Sequence, residues 1–248
     1  MSLRITTLAE RPEFAANLWD MDHAWKEFMF NDPLADFYYP VADTRFADYV
    51  LVADDSAEPG RLVARGCMIP FTGKGELPDD GWDAVIRRGW LARETGTSPD
   101  LVSALEITIR KDRLGTGVSQ HMVRAMRDTA AARGFAELVA PVRPNRKHLE
   151  PGTPMTEYAY RTRDDGLPHD AWLRVHVRLG GRIVKVAPRS MTISGTLAEW
   201  RGWTGLPFDT TGMVTVPGAL VPVHCDVEHD YAVYVEPNVW VSHPLTGS

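Results

Sequence analysis

The stretch Leu105-Glu-Ile-Thr-Ile-Arg-Lys-Asp-Arg-Leu-Gly-Thr-Gly-Val-Ser119 holds the residues of this 248-residue chain whose types and spacing best suit chemistry. It joins an apolar strand to a glycine turn and to the head of an amphipathic helix. Gly115 and Gly117 lack a Cβ, so the backbone can come close to a ligand there. The N–H groups at the head of the following helix find no partner inside it and point at whatever occupies the turn. An anion fits such a cradle, and a diphosphate fits best. The turn has neither the third glycine of a dinucleotide fingerprint nor the Gly-Lys-Ser/Thr of a P-loop. The pattern therefore predicts a phosphate-bearing cofactor held mainly by main-chain groups.

Composition narrows the partners. With 33 acidic and 27 basic residues the net charge is −6, which argues against a general nucleic-acid binder. The two cysteines, Cys67 and Cys225, have no metal-type or redox-type spacing, so a reducing compartment is the simple reading. The N-terminus shows no apolar signal-type run, and no stretch approaches the roughly 18 apolar residues of a membrane span. These features predict a cytoplasmic protein with no membrane partner. His224-Cys-Asp-Val-Glu-His-Asp230 contains ligand-type residues without a recognised zinc spacing, so no metal is expected.

The elements that must position the turn follow from periodicity. Phe14, Leu18, Met21 and Trp25 stand at helical spacing and predict one or two helices over 11–30. Strands are expected around 47–54 and 62–70, then a helix over 81–95 and a strand over 101–110. Apolar residues at 118, 122, 126 and 130 form one helix face, Gly134 closes that helix, and 135–142 is the next strand. Residues 143–169 contain four prolines and predict an irregular excursion of the kind that often lines sites. A helix over 170–179 stops at Gly180-Gly181, a strand over 182–193 bends at Pro188, a short helix covers 197–203, and strands finish the chain. The whole predicts an α+β (α/β) fold with one mixed sheet, over 1–248 as a single domain.

Residues 101–186 resemble the GNAT superfamily of N-acetyltransferases. That family's signature, Arg/Gln-x-x-Gly-x-Gly/Ala after a strand and before a helix, maps to Asp112-Arg113-Leu114-Gly115-Thr116-Gly117. The first position departs from the pattern, with Asp112 in place of Arg or Gln. Leu173-Arg-Val-His-Val-Arg-Leu-Gly-Gly181 is similar to the family's Leu-Tyr-Glu-Lys-Leu-Gly-Phe, with His176 at the tyrosine position. The resemblance implies a splayed central sheet flanked by helices, here with extra C-terminal strands.

It also implies a reaction: acyl transfer from acetyl-CoA or another acyl-CoA to the amine of a small molecule by direct attack. In that reading the amides of Leu114, Gly115, Thr116, Gly117, Val118 and Ser119 and the helix dipole hold the diphosphate, and Arg113 is a further cofactor-binding residue. The backbone of Ile107, Thr108 and Ile109 meets the pantetheine arm, and Asn145 touches it. His176 is the candidate acid for the departing thiolate, because an imidazole titrates near neutrality. Glu106 is the candidate base, direct or through water, since an ammonium has no lone pair with which to attack. It is expected to share a strand face with Thr108, opposite Leu105, Ile107 and Ile109.

Further constellations surround this core. Arg143, Arg146, Lys147 and His148 would meet the 3′-phosphate of CoA or an acyl-carrier protein. Trp19–Trp25 and Phe37-Tyr-Tyr-Pro40 would line an acceptor pocket, although Trp and Met at helical spacing, like Trp200 and Trp203, more often belong to the core. Two alternatives stay open: a donor carried on a carrier-protein phosphopantetheine, and a GNAT-like protein that binds without turnover. The β-rich tail would serve a homodimer interface.

Overall fold

The computed structural model describes residues 3–73 and 75–245. They build one nine-stranded sheet. Strands β1 (Leu3–Thr7), β2 (Val50–Asp55), β3 (Leu62–Phe71) and β4 (Leu101–Ile109) form an antiparallel meander. Next to β4 lies β5 (Glu137–Val142), parallel to it but paired only at Val102↔Leu138 and Ser103↔Val139. Beyond Ser103 the two strands part, and the sheet opens into a splay. The long β9 (Tyr231–Pro244) pairs antiparallel with β5 along Val239–Pro244 and with β8 (Val223–Asp226) along Tyr231–Val233. Its other edge carries β6 (Arg182–Gly195), and β7 (Gly212–Val214) borders β8.

Helices cover both faces. The first helical turn, α1 (Ala42–Arg45), and α2 (Gly81–Thr95) pack with the amino-terminal segment into the larger core around Phe14, Phe28, Tyr38, Trp82 and Trp240. On the other face α3 (Val118–Ala132) buries Val118, Met122, Met126 and Ala130. This is the four-residue stripe expected from the sequence, and Gly134 (φ +83°) stops the helix. The single turn α4 (Met155–Tyr158) and α5 (Ala171–Arg178) close a third cluster against β5 and β9. Helix α6 (Leu197–Thr204) starts at a Thr196/Glu199 capping box and sends Trp200 into the larger core.

Three readings of the sequence need correction. Residues 11–30 form two short 3₁₀ turns, Pro12–Asn17 and Glu27–Asn31, rather than helices. The Leu18 carbonyl accepts a 3.0 Å hydrogen bond from Arg65 Nη1 instead of serving a helix. The irregular path lets Leu18 and Met21 face the core while Trp19 and Trp25 face a cavity; tertiary burial outweighs local propensity. Residues 3–7, not anticipated as a strand, add β1 to the sheet edge.

Leu105 does not share a face with Ile107 and Ile109. The β3–β4 register runs Cys67↔Glu106 and then Met68↔Ala104, so Leu105 is the extra residue of a bulge. It packs in the larger core, while Ile107 and Ile109 pack toward α3. A bulge bends its strand and re-aims side chains, and here it sits where β4 leaves β5. The tail strand β9 is paired along both edges, and among the described residues β6 and β7 pair on one side only, so they carry the outer edges of the β-rich tail.

Candidate active site

The splay opens into a cavity of about 550 Å³. Leu105, Glu106 and Ile107 of β4 form one wall, and Leu138, Ala140 and Arg143 on the β5 side form another. Val123 and Met126 of α3 and His176 of α5 reach it from one face of the sheet. Trp19, Trp25, Tyr39 and Trp82 reach it from the amino-terminal segment and α2. One space thus joins the side of the sheet that carries the glycine turn to the side covered by the aromatic segment.

Glu106 stands in this wall. Its Oε1 accepts from Arg65 Nε at 2.8 Å and its Oε2 from the Tyr39 hydroxyl at 3.1 Å. The Arg65 guanidinium lies 4.7 Å from the Trp19 ring centroid, a cation–π distance. Both Arg65 and the Glu106 side chain are nearly buried, so the arginine charge keeps a carboxylate tolerable in an apolar wall. Burial and the Glu106 charge push the Tyr39 hydroxyl well above its ordinary range, so Tyr39 is a hydrogen-bond donor at neutral pH. One residue pair along the strand, Trp25 Nε1 donates to Thr108 Oγ1 at 3.2 Å.

His176 also lines the cavity, held by α5. That helix begins at Asp170, whose Oδ1 accepts from the amides of Trp172 (2.9 Å) and Leu173 (3.1 Å). Its Oδ2 accepts from the Arg146 amide and the Tyr158 hydroxyl, both at 3.0 Å. One carboxylate thereby caps the helix and ties the 143–169 excursion to it. His176 Nδ1 lies 2.9 Å from Nε2 of His243 on β9. Gly181 permits that approach, because a Cβ there would lie 2.7 Å from His243 Cε1 and 2.8 Å from the His176 carbonyl oxygen.

Burial, reinforced by the neighbouring ring, lowers the His176 pKa to about 3. Burial, with Arg127 beyond it, lowers that of His243 to about 4. Both rings are therefore neutral at physiological pH, and one N–H lies between them. His176 Nε2 and His243 Nδ1 are buried without a partner among the described residues. A neutral imidazole can donate or accept one hydrogen bond here, but it is not a stored proton for a thiolate. The general-acid role expected of His176 near its ordinary pKa is corrected to that extent.

The glycine turn has the anticipated backbone. Gly115 and Gly117 adopt φ values of +76° and +87° with open space where a Cβ would stand, conformations that favour glycine. The amides of Gly115, Thr116, Gly117, Val118 and Ser119 make no hydrogen bond among the described residues, and α3 begins directly behind them. The chain therefore fits a bound diphosphate at this turn by main-chain groups. The Arg113 side chain does not join it, because it is drawn back to Glu58 and Asp55. Asp112, in the place of the usual Arg or Gln, pairs with buried Arg110 at 2.6 Å, which also bonds Glu58 at 3.1 Å. That ionic group fastens the turn to the end of β2. Asn145 is exposed, near the start of the excursion.

The basic loop divides. Lys147 is fully buried and donates to the carbonyls of Glu150 (2.7 Å), Pro151 (3.4 Å) and Leu220 (2.7 Å). Arg143 turns into the cavity and pairs with Glu236. Lys147 is engaged by carbonyls and Arg143 faces the cavity rather than the loop surface, which leaves Arg146 and His148 for the expected contact with a CoA phosphate or a carrier protein. Glu236, Asn238 and His243 were missed from sequence. The alternation of Tyr231–Val241 held a signal for two of them, since Glu236 and Asn238 share a face with the bulky Tyr234 and Trp240, and a carboxylate on such a face needs a partner.

A parted pair of parallel strands, a bulge beside the opening and an anion cradle at the next helix define an acyltransferase of the GNAT type. No family model matches the chain. It is 34% identical to the arginine N-acetyltransferase avaD of Aspergillus versicolor over 271 aligned positions, 97% of this chain and 93% of that protein. Among solved structures it is similar to the loading GNATL domain of CurA from Lyngbya majuscula, at 16% identity and a TM-score of 0.62 over 98% of this chain and 97% of that one. The GNAT-like decarboxylase GphF in complex with isobutyryl-CoA matches at 12% identity and a TM-score of 0.48, over 99% of this chain and 100% of that one. The chain belongs to the GNAT superfamily of N-acetyltransferases. As such it moves an acyl group from a CoA thioester to an amine. No helix among the described residues is long and apolar enough to cross a membrane.

Proposed function

We propose that the protein acetylates arginine, free or within a larger molecule, at its amine. The 34% identity to an arginine N-acetyltransferase along nearly the whole chain is the observation that carries this reading. The cavity supports it. Exposed Asp36 and the aromatic side chains of Trp82, Tyr39 and Phe30 line it, and acidic and aromatic groups attract an organic cation. The α-amine is the nitrogen that reacts, because its pKa of about 8 lies far below that of a guanidinium, about 12 or more.

In this reading Glu106 takes the amine proton, directly or through one water, while Arg65 and Tyr39 fix its orientation. The thioester enters from the glycine turn between β4 and β5, where the free amides of 115–119 hold its diphosphate, while the Leu114 amide already donates to the Lys111 carbonyl. The backbone of Ile107–Ile109, unpaired on the β5 side, meets the pantetheine arm, and Asn145 is assigned to the same arm. His176 offers a neutral hydrogen bond to the sulfur, with the tautomer set by His243. A single domain and a cytoplasmic setting complete the proposal. The test is incubation with acetyl-CoA and arginine, followed by mass spectrometry. A product 42 Da heavier, on the order expected for one acetyl group, is the predicted result; release of CoA with other amines but never with arginine would overturn the acceptor assignment.

A further inference from the structure

Arg143, Glu236 and Asn238 form a second polar cluster in the same cavity. Arg143 follows Val142, whose strand partner is Val239, so the antiparallel register places Arg143 across from Asn238, within side-chain reach. Glu236 is 0% and Asn238 2% exposed. Arg143 Nε lies 3.0 and 2.9 Å from the two Glu236 oxygens, and its Nη2 donates to the Gly218 carbonyl. Glu236 also accepts from Tyr234 Oη at 2.7 Å and from Asn238 Nδ2 at 2.9 Å. Three donors thus hold the carboxylate, the Arg143 Nε–H being shared between its two oxygens.

What remains is on its neighbours. Arg143 Nη1 donates to nothing among the described residues. Asn238 gives its Nδ2 to two acceptors, Glu236 and the Pro237 carbonyl, which fixes the amide orientation and leaves Oδ1 as an unused acceptor. A charged donor and a neutral acceptor therefore stand side by side, both braced on one buried carboxylate. Their complement is an oxygen next to an N–H.

We propose that Arg143 and Asn238 bind the main-chain end of the acceptor. Arg143 Nη1 donates to its carboxylate or carbonyl oxygen, and Asn238 Oδ1 accepts from one N–H of the adjacent amine, leaving the other hydrogens for the base. This deepens the arginine reading and rests on it. Glu236 is a positioning residue that touches no substrate.

The experiment compares kcat and KM for arginine, argininamide and agmatine, which is arginine without its carboxyl group. A site built to bond a substrate group rejects the analogue that lacks it, and the loss of one charged hydrogen bond should cost agmatine about a hundredfold in kcat/KM. Retention of argininamide would show that a carbonyl oxygen suffices; its loss together with agmatine would show that a carboxylate is read. In N238A, and in the charge-removing double variant R143Q/E236Q, the preference for arginine over agmatine should shrink at least tenfold, chiefly through KM. The double variant removes both charges together, and N238A leaves the ion pair in place, so one of them remains informative if the other fails to fold. Agmatine used as well as arginine by the wild type, or an unchanged preference in both variants, overturns the subsite alone. Absence of turnover with arginine and argininamide overturns instead the acceptor assignment beneath it.

Discussion

Glu106 stands in the cavity wall beside the opening of the sheet, with Arg65 and Tyr39 on its oxygens. If it removes the amine proton, E106Q keeps the shape but loses the base, along with the charge that faces Arg65. General-base contributions run from about 10² to 10⁴ in rate, so kcat should fall by roughly a hundredfold or more with little change in KM. Steady-state kinetics at saturating arginine checks this. His176 makes the contrasting prediction. Its pKa is lowered to about 3 by burial and by His243, so it loses its proton far below neutrality and does not titrate as pH rises from about 5 to 8. A requirement for imidazolium at the ordinary pKa of about 6.5 would make the rate fall as pH rises through that value. The account predicts that the pH profiles of wild type and H176Q have the same shape over this range, with H176Q lower throughout. A wild-type limb near 6.5 that vanishes in H176Q would restore the general-acid role.

At the scale of elements, each piece of the site is positioned by a local device. Asp170 caps α5, Gly181 lets β9 approach its end, and Lys147 gathers three carbonyls of the excursion and of the loop before β8. Replacing the ammonium by a methyl group in K147M would strand those carbonyls in a buried site. Each unsatisfied polar group costs on the order of 1–3 kcal/mol, so a drop of about 2 kcal/mol or more in urea-unfolding stability is expected. How far these elements can be read from sequence depends on how local their cause is. The β4–turn–α3–β5 unit was legible because a four-residue stripe, two glycines and a terminating Gly134 lie within one short stretch. The bulge at Leu105 was not, because simple alternation cannot show where one residue is extra. The amino-terminal segment misled for a related reason. Its helical spacing is real, yet Arg65 takes the Leu18 carbonyl from another part of the chain.

For the whole molecule, function depends on what the sheet order brings together. Arg143 meets Glu236 across 93 positions and His176 meets His243 across 67, pairings that no window along the chain contains. They arise because β9 runs beside β5 and carries the far wall of the splay. The resemblance over 101–186 covers the glycine turn and the parted strands, whereas the aromatic wall and the Glu236–His243 wall of the cavity come from the two ends of the chain. The central claim is that a thioester held at the Gly115–Gly117 turn enters this shared cavity. Its most direct test is titration calorimetry of acetyl-CoA against the wild type, G117D and G117N. Asparagine and aspartate both tolerate the left-handed backbone better than most residues, and open space surrounds the site of the new Cβ, so the pair differs mainly in charge. The account predicts micromolar-range binding to the wild type, weaker but measurable binding to G117N, and none to G117D. Equal binding to wild type and G117D would contradict it.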